Sequence, residues 1–289
     1  MNETEPQIKK VDSITLIILQ TILTLFCHLL LIVFMQLNIA TVVSSSKLPE
    51  DFSSYNETDR DKVQKAITTE MTEKMKTNHE EIISDYYRII LEESPSLFLV
   101  TNFLWLLCFL VPGYLVLIKI FRSPLPNFNA SLDFKIFGRG ILAGIITFII
   151  VIAISIMIEQ VLQQKLTISD FEKNLFIKLK GNTYLLGWSI YTIAIITGII
   201  EELYFRGFLL TQFAVLGKAR VGVIFTSFLF GALHYSPEAS IFVPFLLTIV
   251  GYFFGSYYLF TGNIWIPIIS HICYNSLGLI VAYFVGAQT

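Results

Sequence analysis

The sequence predicts an all-α fold: a polytopic membrane helical bundle of about seven transmembrane helices that carries an amphipathic helical insert outside the membrane. Three observations predict it. Hydrophobic residues fill 54% of the 289 positions and mean hydropathy is +0.68, more apolar surface than a soluble domain of this length carries. The apolar residues come in runs long enough to cross a bilayer, separated by polar connectors. Within hydrocarbon the backbone must satisfy its own hydrogen bonds, and runs of this kind do so as helices. One stretch, 44–95, interrupts the pattern with polar and charged residues.

Residues 1–43 form a polar tail and a first span at about 14–43. The run is too long for a signal-peptide core and lacks a small-residue cleavage site, so it reads as a retained membrane helix. The insert, 44–95, begins as a loop rich in serine and acidic residues and becomes helical over about 60–91. There Ala66, Ile67, Met71, Met75, Ile82, Ile83, Tyr86, Ile89 and Ile90 recur at spacings of three and four. One amphipathic stripe of this kind could pack on the membrane domain, lie on the bilayer or dimerise.

Residues 96–183 hold the second and third spans, about 96–121 and 140–158, with Arg122, Pro124, Pro126, Lys135 and Arg139 between them and a mixed polar segment, 159–183, behind. Residues 184–289 hold four more spans, at about 184–216, 221–235, 241–260 and 264–285. Ser236-Pro237-Glu238 and Thr261-Gly262-Asn263 supply turns. Gly251-x-x-x-Gly255 predicts close helix packing. Lysine and arginine placement predicts a cytoplasmic N-terminus and an extracytoplasmic insert.

A net charge of −2 argues against nucleic-acid binding. Cys27, Cys108 and Cys273 all lie in apolar runs and read as small buried hydrophobes. No CxxC, HExxH or glycine-rich phosphate loop is present.

The chemistry concentrates in Glu201-Glu202-Leu203-Tyr204-Phe205-Arg206, two carboxylates and an arginine inside an apolar run. Such groups are expensive in a membrane and mark function. Glu202 and Arg206 are four apart and can pair on one helix face. Glu201 points about 100° away around the helix and has no local basic partner, which makes it the candidate reactive carboxyl. His234 lies on the fifth span; His271 and Asn275, four apart, share a face of the seventh. Polar groups on three spans each need a partner, and one shared pocket meets that need. A carboxylate with a histidine can deprotonate water, and a second histidine with an amide can stabilise an oxyanion. The rival is zinc held by Glu201, His234 and His271 with an open position for water.

Glu201-Glu202-x-x-x-Arg206, Phe230-x-x-x-His234 and His271-x-x-x-Asn275 resemble, in order and separation, the three motifs of the CPBP family, also called the Abi or type II CAAX-protease-like family. The resemblance covers about 185–280. It implies a metal-independent intramembrane glutamic endopeptidase that needs no cofactor. Glu201 would activate water with help from His234, His271 and Asn275 would form the oxyanion site, and Glu202 and Arg206 would support and orient. Family members related to the Ras-converting enzyme trim prenylated CAAX proteins, whereas bacterial relatives are associated with bacteriocin self-immunity, peptide maturation and envelope functions. The short chain and simple span count point to a bacterial cell-membrane protein acting on a membrane-associated peptide or protein. Some relatives are scaffolds, so a non-proteolytic immunity protein that binds an envelope partner through 44–95 is the alternative. A proton-coupled transporter is a weaker reading, since the chain shows no internal repeat.

Overall fold

The computed structural model of the chain describes residues 5–113 and 130–286, and among them every regular element is helical. Helix α1, Glu5–Ser46, is followed by a turn that ends in a short 3₁₀ segment, Phe52–Ser54. Helices α2, Glu57–Thr77, and α3, His79–Arg88, form the insert. A π-helical turn, Ile89–Glu93, leads to α4, Pro95–Pro112. Then come α5, Phe134–Val161; α6, Asp170–Leu179; α7, Thr183–Val215; α8, Ala219–Ala232; α9, Phe242–Thr261; and α10, Trp265–Val285.

The fold class is as the sequence predicts; among the described residues the exact count of seven spans is not confirmed. Five helices (α1, α5, α7, α9 and α10) are long and apolar enough to cross a membrane, or six if α3 and α4, bent by 110° between them, make one broken span. Helix α8 has 14 residues. At 1.5 Å per residue it covers about 21 Å, short of a hydrocarbon core of about 30 Å. The expected connector residues Arg122, Pro124 and Pro126, and the end of the second span beyond 113, lie outside the described residues.

The predicted single helix over 60–91 is instead two helices, because Asn78 leaves helical geometry at φ −149° and ψ 62° and its side chain donates to Glu81. The stripe packs inward more fully at its second end, while in α2 Met71 is buried in the same cluster and Ile67 and Met75 are partly buried against it. Ile82, Ile83, Tyr86, Ile89, Ile90 and Leu91 are buried with Ile39 and Val43 of α1, Leu175 and Leu179 of α6, and Leu279 and Ala282 of α10. Helix α2 buries Met71 alone. The third span starts earlier than expected, since Asp133 caps the amide of Ile136 at 2.7 Å. The polar 159–183 segment contains a helix, α6, opened by a capping box between Ser169 and Glu172.

Two close helix pairs frame the buried polar residues of α7 and α10. Helix α5 runs along α10, and α8 along α9. A methyl group on Gly144 would stand 2.6 Å from the carbonyl oxygen of Ser270, so only glycine lets α5 seat against the helix that carries His271. Gly251 and Gly255 of α9 face Ser227 and Val223 of α8, which places that glycine pair at an internal packing seam.

Candidate active site

Helix α7 is not a uniform α-helix. π-helical stretches at Ile190–Ile196 and Leu203–Leu210 flank the α-helical turn Thr197–Glu202. Each wider turn uses the bonding reach of a threonine: Thr197 Oγ1 donates to the Thr192 carbonyl at 3.0 Å and Thr211 Oγ1 to that of Arg206 at 3.1 Å. Such bulges shift side-chain register and recur at functional sites. Here they bracket Glu201 and Glu202, which are 1% and 0% exposed.

The two carboxylates have different surroundings. Glu202 Oε1 accepts from Arg206 Nη1 at 2.7 Å and from His271 Nδ1 at 2.9 Å. Arg206 also donates from Nη2 to the Gly251 carbonyl at 2.7 Å, and its guanidinium lies 5.7, 5.4 and 5.6 Å from the rings of Phe205, Phe230 and Phe254. This buried ion pair is therefore hydrogen-bonded and boxed by three aromatic faces, the arrangement that makes a buried charge tolerable. The predicted Glu202–Arg206 pairing is present.

Glu201 sits between two imidazoles without bonding to either. Its Oε1 is 4.0 Å from His234 Nε2 and its Oε2 is 3.9 Å from His271 Nε2. Both separations exceed hydrogen-bond length. His234 Nδ1 donates to the Phe230 carbonyl at 2.7 Å, so in the neutral ring Nε2 is the acceptor facing Glu201. The four-residue spacing of Phe230 and His234 thus makes a local tether as well as a motif. His234 is 32% exposed at its side chain against 2% for Glu201, so the cluster opens on the His234 side. The loop beyond it is tied to the α5–α6 connection by Ser240 N donating to the Thr167 carbonyl at 2.9 Å.

The structure brings Glu201, Glu202, Arg206, His234 and His271 together. It does not turn Asn275 onto Glu201: the Asn275 amide nitrogen donates to the Ile193 carbonyl at 3.0 Å, in the first π-helical stretch. That nitrogen has a second N–H left to donate. Among the described residues no group of three or more His, Cys, Asp and Glu is placed to hold a metal ion. Sequence reasoning missed the π-helical turns and the parts played by Phe205 and Phe254, for which the sequence gives no periodic signal.

His234, expected on the fifth span, lies in the turn that follows α8, two residues beyond the helix end at Ala232. The clustered side chains come from α7, α10 and that turn, all within residues 183–277. That interval matches the family model described as Type II CAAX prenyl endopeptidase Rce1-like. The segment is similar to that family. This agrees with the CPBP resemblance of the three motifs, every one of which falls inside the matched interval. The Rce1-like segment spans 95 of the 289 residues, and α1 to α6 lie outside it. With its apolar spans, the chain is a multi-pass membrane protein carrying a segment similar to CAAX-protease-type endopeptidases. No curated protein and no solved structure is a significant match.

Proposed function

We propose that the chain is a metal-independent, glutamic-type intramembrane endopeptidase in which Glu201 and His234 activate a water molecule. The observation that carries this reading is the gap between Glu201 and the two imidazoles. Separations of 3.9 and 4.0 Å suit one water bridging polar atoms. They are wider than the roughly 3.3 Å between ligand atoms on a tetrahedral zinc with bonds of about 2.0–2.1 Å.

In this mechanism the water donates its hydrogens to the Glu201 carboxylate and to His234 Nε2. Its oxygen lone pair then attacks the scissile carbonyl carbon, and Glu201 takes the proton. The oxyanion that forms is met by His271 and by the remaining N–H of Asn275. His271 can donate from Nε2 only when doubly protonated, because its Nδ1–H already points at Glu202. Glu201 then passes its proton to the leaving nitrogen, and the peptide C–N bond breaks.

The substrate is a membrane-associated peptide or protein that approaches from the exposed side of His234, in peptide maturation or bacteriocin self-immunity at a bacterial cell membrane. The N-terminus is cytoplasmic. A scaffold or immunity role through 44–95 is favoured by one observation, the charged and largely exposed α2, which the catalytic cluster does not use. Glu201→Gln tests the proposal: it removes the base while keeping the shape, and cleavage is expected to fall to background in a folded protein.

A further inference from the structure

Polar ties hold α7 to α9 and α10: Glu202 to His271, Arg206 to the Gly251 carbonyl and Asn275 to the Ile193 carbonyl. Others run to helices outside the segment 183–277. Thr24 Oγ1 of α1 and the Tyr204 hydroxyl share a 2.6 Å hydrogen bond, and Asn102 of α4 donates to Thr197 Oγ1 at 3.5 Å. Thr197 and Tyr204 bracket the turn that carries Glu201 and Glu202.

The bond to Thr24 is the shorter and is fully enclosed. Thr24 and Tyr204 are 0% and 1% exposed. The Tyr204 ring lies 5.3 Å from that of Phe109 of α4 and 5.0 Å from that of Phe205, in an apolar cluster with Ile17 and Leu106. A hydroxyl left unpaired in such surroundings is costly. Thr21 and Thr41, on the same helix α1, each spend their hydroxyl on the carbonyl four residues back, at 2.8 Å. Thr24 reaches across to a second helix. The Gln20 carbonyl, one turn earlier, stands 3.5 Å from the same Tyr204 hydroxyl, so α1 presents two oxygens to one phenol.

Glu201 needs such a tie. Its oxygens stand 4.0 and 3.9 Å from the two imidazoles and bond to neither, so the backbone of α7 alone sets where the carboxylate lies. A side chain reaching about 5–6 Å from a helix axis moves about 1 Å when the helix turns by about 10°. Tyr204 is three residues from Glu201, on the adjoining turn. We infer that Thr24 and Tyr204 are a positioning pair for the peptidase: their hydroxyl bond fixes the rotation of α7 and so places Glu201 between His234 and His271. Helix α1 thereby completes a site whose catalytic groups all lie within 183–277. The inference rests on the reading of Glu201 and His234 as the water-activating pair.

The test uses the whole chain in detergent and three variants. Thr24→Val keeps the shape and removes the hydroxyl; Thr24→Ser keeps the hydroxyl. Thr24→Val combined with Tyr204→Phe removes both hydroxyls and leaves neither unpaired. Cleavage kinetics, melting temperature and the ring-nitrogen resonances of His234 and His271 are read for each. The chain has four histidines, so those resonances can be assigned by substitution in labelled protein. Thr24→Val is expected to shift both sets of resonances and to lower kcat about ten- to a hundred-fold with KM unchanged, the scale of a catalytic group misplaced by about 1 Å. Thr24→Ser is expected to stay near wild type in every readout. The double variant decides, and it answers even where Thr24→Val fails to fold. Replacing both partners of a buried hydrogen bond by apolar groups is nearly neutral for stability. Its melting temperature should therefore return to the wild-type value while kcat stays low and the resonances stay shifted. A kcat that recovers with the melting temperature would show that the pair only holds two helices together, and would overturn the inference. So would unmoved resonances in the double variant, whether or not the protein cleaves anything. Absence of cleavage by the wild type would instead count against the peptidase reading, and the resonances would still decide the role of the pair.

Discussion

Glu201 and Glu202 are neighbours to which the proposed mechanism gives opposite tasks, and the difference lies in what each touches. Glu202 is spent on structure, since one oxygen accepts from both Arg206 and His271. Removing one partner of a buried pair leaves an uncompensated charge. Arg206→Met is therefore expected to destabilise the protein by about 3–5 kcal/mol. Adding Glu202→Gln should recover part of that loss, as read by thermal unfolding in detergent. A double variant no more stable than Arg206→Met alone would mean that the pair is not coupled. The pairing was legible from a spacing of four residues. The aromatic box was not, because Phe205, Phe230 and Phe254 come from three helices and look like ordinary apolar positions until those helices are packed.

At the scale of elements, the site depends on how closely α8 approaches α9. A methyl group on Gly231 would stand 2.1 Å from Thr248 Oγ1 and 2.3 Å from the Pro244 carbonyl oxygen. The threonine side chain can rotate, but the carbonyl belongs to the backbone and cannot. Gly231→Ala should force the helices apart and displace His234, three residues on. We expect cleavage to fall at least about ten-fold, since a displacement near 1 Å is enough for that, together with a lower melting temperature. Gly187→Ala is the control: it lies within α7 with nothing within 4 Å of the added carbon, and should be neutral or stabilising by up to about 1 kcal/mol. A Gly231→Ala variant as active and stable as this control would contradict the packing argument. The sequence located α8 to within a few residues, but its hydropathy alone did not show that it stops short of a full span. The π-helical turns of α7 were also invisible, because π and α backbones accept the same apolar composition.

For the whole molecule, the insert is neither a loose appendage nor wholly part of the bundle. Its α3 end is buried in the apolar cluster with α1, α6 and α10, so deleting all of 50–90 would expose that core and report on folding rather than on partners. Helix α2 is held more lightly, by Met71 and by ion pairs from Lys47 to Glu70 at 2.5 Å and from Lys74 to Glu81 at 2.6 Å. The hydrogen bond and charge of Lys47 hold the Glu70 carboxyl below its ordinary value of 4.5. A carboxyl lowered in the folded state contributes stability above its ordinary value and loses it as pH falls through the folded one. A spin label at the exposed Ala66 should therefore become more mobile on acidification below about pH 4.5, and should already be mobile at neutral pH in Lys47→Ala. Mobility that does not change with pH would show that these pairs do not anchor α2. The amphipathic stripe announced that part of the insert would be buried. Which end packs more fully was settled by tertiary contacts that the stripe alone does not specify.

The central claim is that Glu201 activates water without a metal. The most direct measurement is cleavage of a membrane-peptide library by the purified protein, wild type against Glu201→Gln, with and without a chelator, read by mass spectrometry. The account predicts wild-type products that survive chelation and disappear with Glu201→Gln. Full cleavage by Glu201→Gln, or wild-type cleavage abolished by the chelator and restored by zinc, would contradict it.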